Sequence, residues 1–166
     1  IASHKAGIIK KDCIVVSAMQ EEKVKNVIEE AVCKKQAQKM VFVDNKEIRK
    51  QKYDLRKTIF YYKEWDKIEI SLLGSYQVKN AALALEVLLV LKDLGVNLSE
   101  DKIKKAFVNV IWPGRFQIVD KKPYFLVDGA HNPAAAIELR DSIQFYFTNR
   151  KIIYIIGAIR INTSNC

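Results

Sequence analysis

Apolar residues recur along this chain at two spacings, and the switch between them marks its elements. A short β-branched run at 13–16 reads as a strand. Over 21–35, Val24, Val27, Ile28, Ala31 and Val32 fall at the three- and four-residue intervals of a helix. Residues 40–43 are again strand-like. From 44 to 73 the texture shifts to short β-rich runs, 59–62 and 68–73, separated by charged turns, which predicts a small antiparallel patch. The strongest helical pattern covers 76–94, with Val78, Ala81, Leu85, Leu88 and Leu89 on one face and Gly95 as its stop. Ser99 is set to cap a further helix, with Glu100 and Asp101 in its first turn, where the helix dipole favours negative charge. Ile103, Ala106, Phe107 and Val110 are its expected buried stripe.

Trp112-Pro113-Gly114 breaks the pattern and is the candidate boundary between two units, 1–111 and 112–166. Beyond it, strands at 116–119, 124–127 and 152–156 flank a helix expected to bury Ala136, Leu139, Ile143, Tyr146 and Phe147. This alternation predicts an α/β fold. The second unit, about fifty residues, is short for a doubly wound sheet, and residues 160–166 follow no period. The first residues carry neither an initiator Met nor a signal-peptide pattern. The chain is therefore expected to be part of a longer one.

Composition narrows the function classes. Hydrophobic residues make up 49% of the 166, with a mean hydropathy of −0.08, so a packed core is expected rather than disorder. No apolar run reaches membrane-spanning length, which argues against a membrane partner. The net charge is +9, but Lys34, Lys35, Lys104, Lys105, Lys121 and Lys122 fall on helix faces or turns, and basic–aromatic interleaving is absent. That is a solvated surface rather than a nucleic-acid footprint, and its field suits a small anionic substrate. Cys13, Cys33 and Cys166 are odd in number and widely spaced, as are the two histidines, so neither a disulfide framework nor a zinc site is expected. Reduced thiols fit a cytoplasmic location.

Four segments carry candidate chemistry. In Val127-Asp128-Gly129-Ala130-His131-Asn132-Pro133 a strand ends in a carboxylate, turns on glycine and enters a helix, with Asn132 as N-cap and Pro133 at the first helical position. This sets Asp128 and His131 at the carboxyl edge of a sheet beside a helix N-terminus, a place suited to anions. A capped turn with an incidental Asp and His is the plainer reading. Arg115, just after Pro113-Gly114, can project a bidentate donor toward phosphate, or simply pair with a surface carboxylate. Gln77 and Asn80, on the first turn of the 76–94 helix, can face one ligand with paired amides able to read a base edge. Lys5, in His4-Lys5-Ala6-Gly7-Ile8-Ile9-Lys10, says little by itself.

Taken in order, these segments resemble the folylpolyglutamate synthase/dihydrofolate synthase group of the Mur ligase superfamily. Its pattern runs Glu-Lys-Ala-Gly-Ile-x-Lys, Gly-x-His-Gln-x-x-Asn-Ala, Trp-Pro-Gly-Arg and Asp-Gly-Ala-His-Asn-Pro, and the likeness extends over 1–159. The resemblance implies the end of a Mur-ligase-type central ATPase domain, with a small antiparallel β patch, followed by the start of a Rossmann-like C-terminal domain. It implies ATP and Mg²⁺ as cofactors, and an acyl phosphate formed on a folate or dihydropteroate carboxylate and attacked by the amine of L-glutamate. By the same resemblance Lys5, carbamylated, helps organise the metal, with His4 beside it. Gln77 and Asn80 lie near adenine, Arg115 on the phosphates, and Asp128 and His131 at the nucleotide and the reacting phosphoryl group. In such ligases, positioning and neutralised phosphate charge do the catalysis.

His4 stands where the group has Glu, Tyr76 where it has His, and Gln117 where an acidic residue is frequent. The glycine-rich phosphate loop that precedes the first motif in the family is absent from this sequence, so the chain alone is not expected to turn over. Two alternatives stay open: a peptidoglycan-precursor ligase of the same superfamily, and a non-catalytic binding module of this fold. Sheet edges without their neighbours are also expected to pair. Light scattering over a concentration series should therefore show dimers or larger species; a monomer at every concentration would refute this.

Overall fold

In the computed structural model, which describes residues 1–157, the expected elements form, except that one strand and a short first helix are added and one strand is missing. A short helix, α1 (Ala2–Ala6), leads to β1 (Ile14–Ser17), which pairs in parallel with β2 (Lys39–Phe42). Parallel neighbours need a crossover, and α2 (Glu22–Lys35) supplies it; α1 lies against α2.

The antiparallel patch has three strands, β3 (Ile48–Tyr53), β4 (Thr58–Tyr62) and β5 (Trp65–Ile70), in that order. β4 alternates, with Thr58, Phe60 and Tyr62 buried, because successive side chains of a strand point to opposite faces. Phe60 opposes Ile68 across the ladder. Sequence pattern missed β3, since Arg49-Lys50-Gln51-Lys52 reads as a charged turn. It is an edge strand, where exposed lysines guard unpaired backbone, and its register shifts between Arg49 and Lys52.

The inner face of this patch packs on α3 (Gln77–Asp93) and α4 (Glu100–Asn109). α3 buries Val78, Ala81, Ala82 and Leu85 against Phe60, Tyr62, Ile68 and Ile70, and burial of each large side chain is worth roughly 1.5–3 kcal/mol. The helix stops at Gly95, whose φ of +86° lets Val96 N–H reach back to Leu91 O at 3.0 Å. Ser99 caps α4 as expected, but only Ile103 of that helix is fully buried, and Ala106 is exposed. One sheet contacts α4 from one side, so the apolar stripe needs only the Ile103–Phe107 line. Ser71 leaves the sheet and ties to the end of α4, its N–H donating to Phe107 O and its Oγ to Val110 O.

The remaining described residues form a hairpin, β6 (Gln117–Lys121) with β7 (Tyr124–Val127), followed by α5 (Pro133–Tyr146). Leu73, Phe116 and Ile143 make a second, smaller core with Leu139, Tyr146 and Phe147 around it. Ala136 lies on the exposed side of α5, against expectation, because the helix meets the core along Leu139, Ile143 and Tyr146 only. The strand expected at 152–156 is not formed. Residues 151–157 are irregular, with Ile153 and Ile155 84% and 88% exposed, because an apolar run becomes a strand only beside an open edge and none of the described strands pairs with it. The aperiodic segment 160–166 lies outside the described residues.

One charged side chain is buried in the main core among the described residues. Glu86 on α3, 4% exposed, accepts from Tyr62 Oη at 3.0 Å and from Lys63 Nζ at 2.6 Å, fixing the helix across β4. Glu86→Ala should leave both donors without a partner and destabilise the fold by roughly 2–3 kcal/mol. Urea denaturation of the variant reads this directly; a midpoint unchanged from wild type would refute it.

Candidate functional site

β7 runs Tyr124-Phe125-Leu126-Val127 and ends where Asp128 turns the chain. Asn132 caps α5, its side-chain oxygen accepting from Ala135 N–H at 2.9 Å, and Pro133 occupies the first helical position without wasting a donor. The turn from strand to helix is thus built by its own sequence.

Asp128 does more than end the strand. Its Oδ1 accepts from Ala130 N–H at 2.8 Å, and its Oδ2 accepts from Phe116 N–H at 2.7 Å and from Tyr76 Oη at 3.4 Å. Each donor is the immediate chain neighbour of a candidate residue: Tyr76 precedes Gln77, Phe116 follows Arg115, and Ala130 precedes His131. One carboxylate therefore gathers three separate segments.

The loop bearing Arg115 is held on both sides. Gly114 O accepts from Gly129 N–H at 2.8 Å, Gly114 N–H donates to Gln117 Oε1 at 2.9 Å, and Phe116, 1% exposed, is sunk into the small core. Arg115 stands out of this clamped loop, exposed, and makes neither an ion pair nor a hydrogen bond among the described residues. A guanidinium without a protein partner, carried on a held backbone, is suited to an anion. His131 is also exposed. Its Nδ1 lies 2.7 Å from Gly129 O, and since a carbonyl only accepts, Nδ1 is the donor of that contact and Nε2 is left without a protein partner among the described residues.

At the start of α3, Asn80 Nδ2 donates to Gln77 Oε1 at 3.0 Å, so the two amides form one unit, with Gln77 buried and Asn80 exposed. The free Gln77 amide hydrogens and Asn80 carbonyl keep the donor–acceptor pair that a base edge requires. Lys5 and His4 lie on α1. Both are exposed on α1, which packs on α2, and no hydrogen bond or ion pair among the described residues joins them to the Asp128 junction. No three His, Cys, Asp or Glu side chains converge as a metal cage among the described residues.

Pattern reading overlooked the residues that hold the junction together. Ser142, fully buried in α5, accepts from Ser75 N–H at 3.2 Å and shares a second contact with Ser75 Oγ. Lys79 faces Glu138 at 3.7 Å. The available signal was a serine inside an apolar stripe, between Leu139 and Tyr146. Tyr76 was legible only as an unusual residue in its motif.

Residues 114–162 match the family model of the Mur ligase glutamate ligase domain. The dihydrofolate synthase/folylpolyglutamate synthase of Bacillus subtilis is 28% identical over 96% of this chain and 38% of its own length. An FPGS solved with AMPPCP and folate superposes with a TM-score of 0.79 at 26% identity, over 89% of this chain and 37% of that one. The Mycobacterium tuberculosis folylpolyglutamate synthase complexed with ADP gives 0.76 at 27% identity, over 88% and 34%. Over most of its length the chain is similar to the folylpolyglutamate synthase/dihydrofolate synthase branch of the Mur ligase superfamily. It spans about 38% of the length of the Bacillus relative, so what this branch does as whole proteins bears on the chain only in part. No helix among the described residues is long and apolar enough to cross a membrane.

Burial, and then the charge of Asp128, push the Tyr76 phenol from 10.0 up to about 12, and burial followed by Glu86 raises the Tyr62 phenol as well. Unfolded phenols release their protons near pH 10, earlier than the native ones, so the native state binds more protons above that pH. Stability should be fully present below about pH 10 and fall as pH rises toward about 12. Denaturation midpoints across this range should decline less steeply in Tyr76→Phe than in wild type; parallel declines would refute the assignment.

Proposed function

We propose that this chain forms one wall of an ATP site in a ligase that joins L-glutamate to a folate or dihydropteroate carboxylate through an acyl phosphate. The observation that carries this reading is the Asp128 junction, which sets Arg115, the Gln77–Asn80 amide pair and His131 next to its three donors. The relatives solved with AMPPCP and folate, and with ADP, support carrying nucleotide and folate over to this chain. The division at Trp112-Pro113-Gly114, with 1–111 as the end of an ATP-binding domain and 112–166 as the start of a glutamate ligase domain, belongs to the same reading.

In this site ATP would meet the amide pair at its base and Arg115 at its phosphates. The fit is chemical: an unpartnered guanidinium on a clamped loop for phosphate, and a joined donor–acceptor pair for a base edge. Asp128 would hold the turn, and His131 would offer Nε2 to the reacting end. Mg²⁺ suits such a site when it arrives on the triphosphate, since it keeps waters and phosphate oxygens rather than an all-protein cage. Lys5, if carbamylated, would add an oxygen there, with His4 beside it. When bound, ATP supplies the activated phosphoryl group; this chain's residues orient it and offset its charge. The thiols stay reduced in the cytoplasm, and the partners are small molecules, with a second copy pairing through exposed sheet edges.

The test is made on the full-length protein. Calorimetry with AMPPCP and Mg²⁺ should show binding, and phosphate release should require both glutamate and a folate or dihydropteroate. Arg115→Ala should weaken AMPPCP at least about tenfold, as expected for loss of a charge-assisted contact. Absence of AMPPCP binding by wild type, or turnover on UDP-muramoyl precursors instead of folates, would overturn the reading.

A further inference from the structure

Of the three donors to Asp128, two are backbone N–H groups from its own hairpin region: Ala130 lies two residues away and Phe116 twelve. The third, Tyr76 Oη, comes from the start of α3, 52 residues distant in sequence, and is the only side chain among them. The Tyr76 ring is itself confined. It covers Gly74, whose φ is +105°, so closely that a Cβ there would stand 2.8 Å from the ring. Its neighbour Ser75 is bonded to buried Ser142 of α5. The ring thus packs on Gly74 while its hydroxyl reaches Asp128.

From this we infer that Tyr76 is a positioning residue: its hydroxyl latches the Asp128–His131 turn to the first turn of α3, keeping the base-reading amides and the phosphate-facing Arg115 in one register. The inference rests on the nucleotide reading above and assigns to Tyr76 a task that neither its own chemistry nor contact with the nucleotide supplies. Without the latch the turn samples positions away from Gln77 and Asn80. Apparent affinity for a ligand that touches both sides is then reduced by the fraction of time the sides are aligned. Saturating ligand restores the alignment, so the loss appears in KM rather than in kcat. At 3.4 Å the hydrogen bond is long, and a factor of about three to ten is expected.

The experiment is a double-mutant cycle on the full-length protein with Tyr76→Phe, which keeps the ring over Gly74, and Asp128→Asn. Tyr76→Phe alone should weaken AMPPCP about three- to tenfold and raise KM for ATP similarly, with kcat changed less than about twofold. In the Asp128→Asn background the same substitution should change AMPPCP affinity less than about twofold, because the latch is already impaired. Amide exchange at Phe116 and Ala130 should quicken in Tyr76→Phe while that at Ile68, in the main core, stays as in wild type. An equal effect in both backgrounds, or unchanged exchange at Phe116, would overturn the latch. Wild type that fails to bind AMPPCP would instead remove the nucleotide reading, and exchange would still decide whether Tyr76 holds the turn. Ser142→Ala is the control: it breaks the neighbouring Ser75 contact and should combine additively with Asp128→Asn, and coupling as strong as that of Tyr76→Phe would also overturn the assignment.

Discussion

Asp128 accepts hydrogen bonds from Tyr76, Phe116 and Ala130, and among the described residues no other group is hydrogen-bonded to all three segments of the candidate site. A carboxylate can do this because it offers two oxygens with room for several donors, and charged acceptors make the stronger hydrogen bonds. The fold prepares the encounter from both sides. Ser71, tied to α4, directs the chain out of the antiparallel patch toward Leu73 and the start of α3. The small core of Leu73, Phe116 and Ile143 then presses that start against the hairpin and α5. Remove the carboxylate and three loops lose their shared anchor, although each would keep its own local structure.

The division of labour between the two cores follows from their sizes. The larger one, with Phe60, Tyr62, Ile68 and Leu85, makes α3 a fixed element, and Glu86 pins it further. The smaller one has only three fully buried members, so polar contacts such as Ser75–Ser142 and Tyr76–Asp128 carry more of the docking there. Sites that must admit a charged ligand are commonly built this way, with side chains projecting from rigid elements and little apolar cover. Arg115 fits that description, exposed on a loop whose neighbours are clamped.

Much of this was legible in the sequence because periodicity reports burial on one face. β4 and α3 repeat their apolar residues at strand and helix spacing, and Asn132-Pro133 announces α5 through capping chemistry. β3 was hidden by its lysines, since an edge strand is held by backbone pairing that leaves no mark on side-chain polarity. The apolar run at 152–156 misled for the opposite reason: strand propensity is expressed only beside a partner. At the site, motif order brought out Asp128, Arg115, Gln77 and Asn80, but their gathering around one carboxylate depends on contacts distant in sequence. Ser142 and Tyr76 matter through those contacts, which no local pattern encodes.

The central claim is that segments 76–80, 114–116 and 128–132 act as one nucleotide-facing surface because Asp128 joins them. Chemical-shift mapping of the isotope-labelled protein during titration with AMPPCP and Mg²⁺ tests it most directly. The account predicts that amides in all three segments move together along a single binding curve. Shifts confined to one segment, or concentrated on the antiparallel patch around Arg49 and Tyr61, would contradict it.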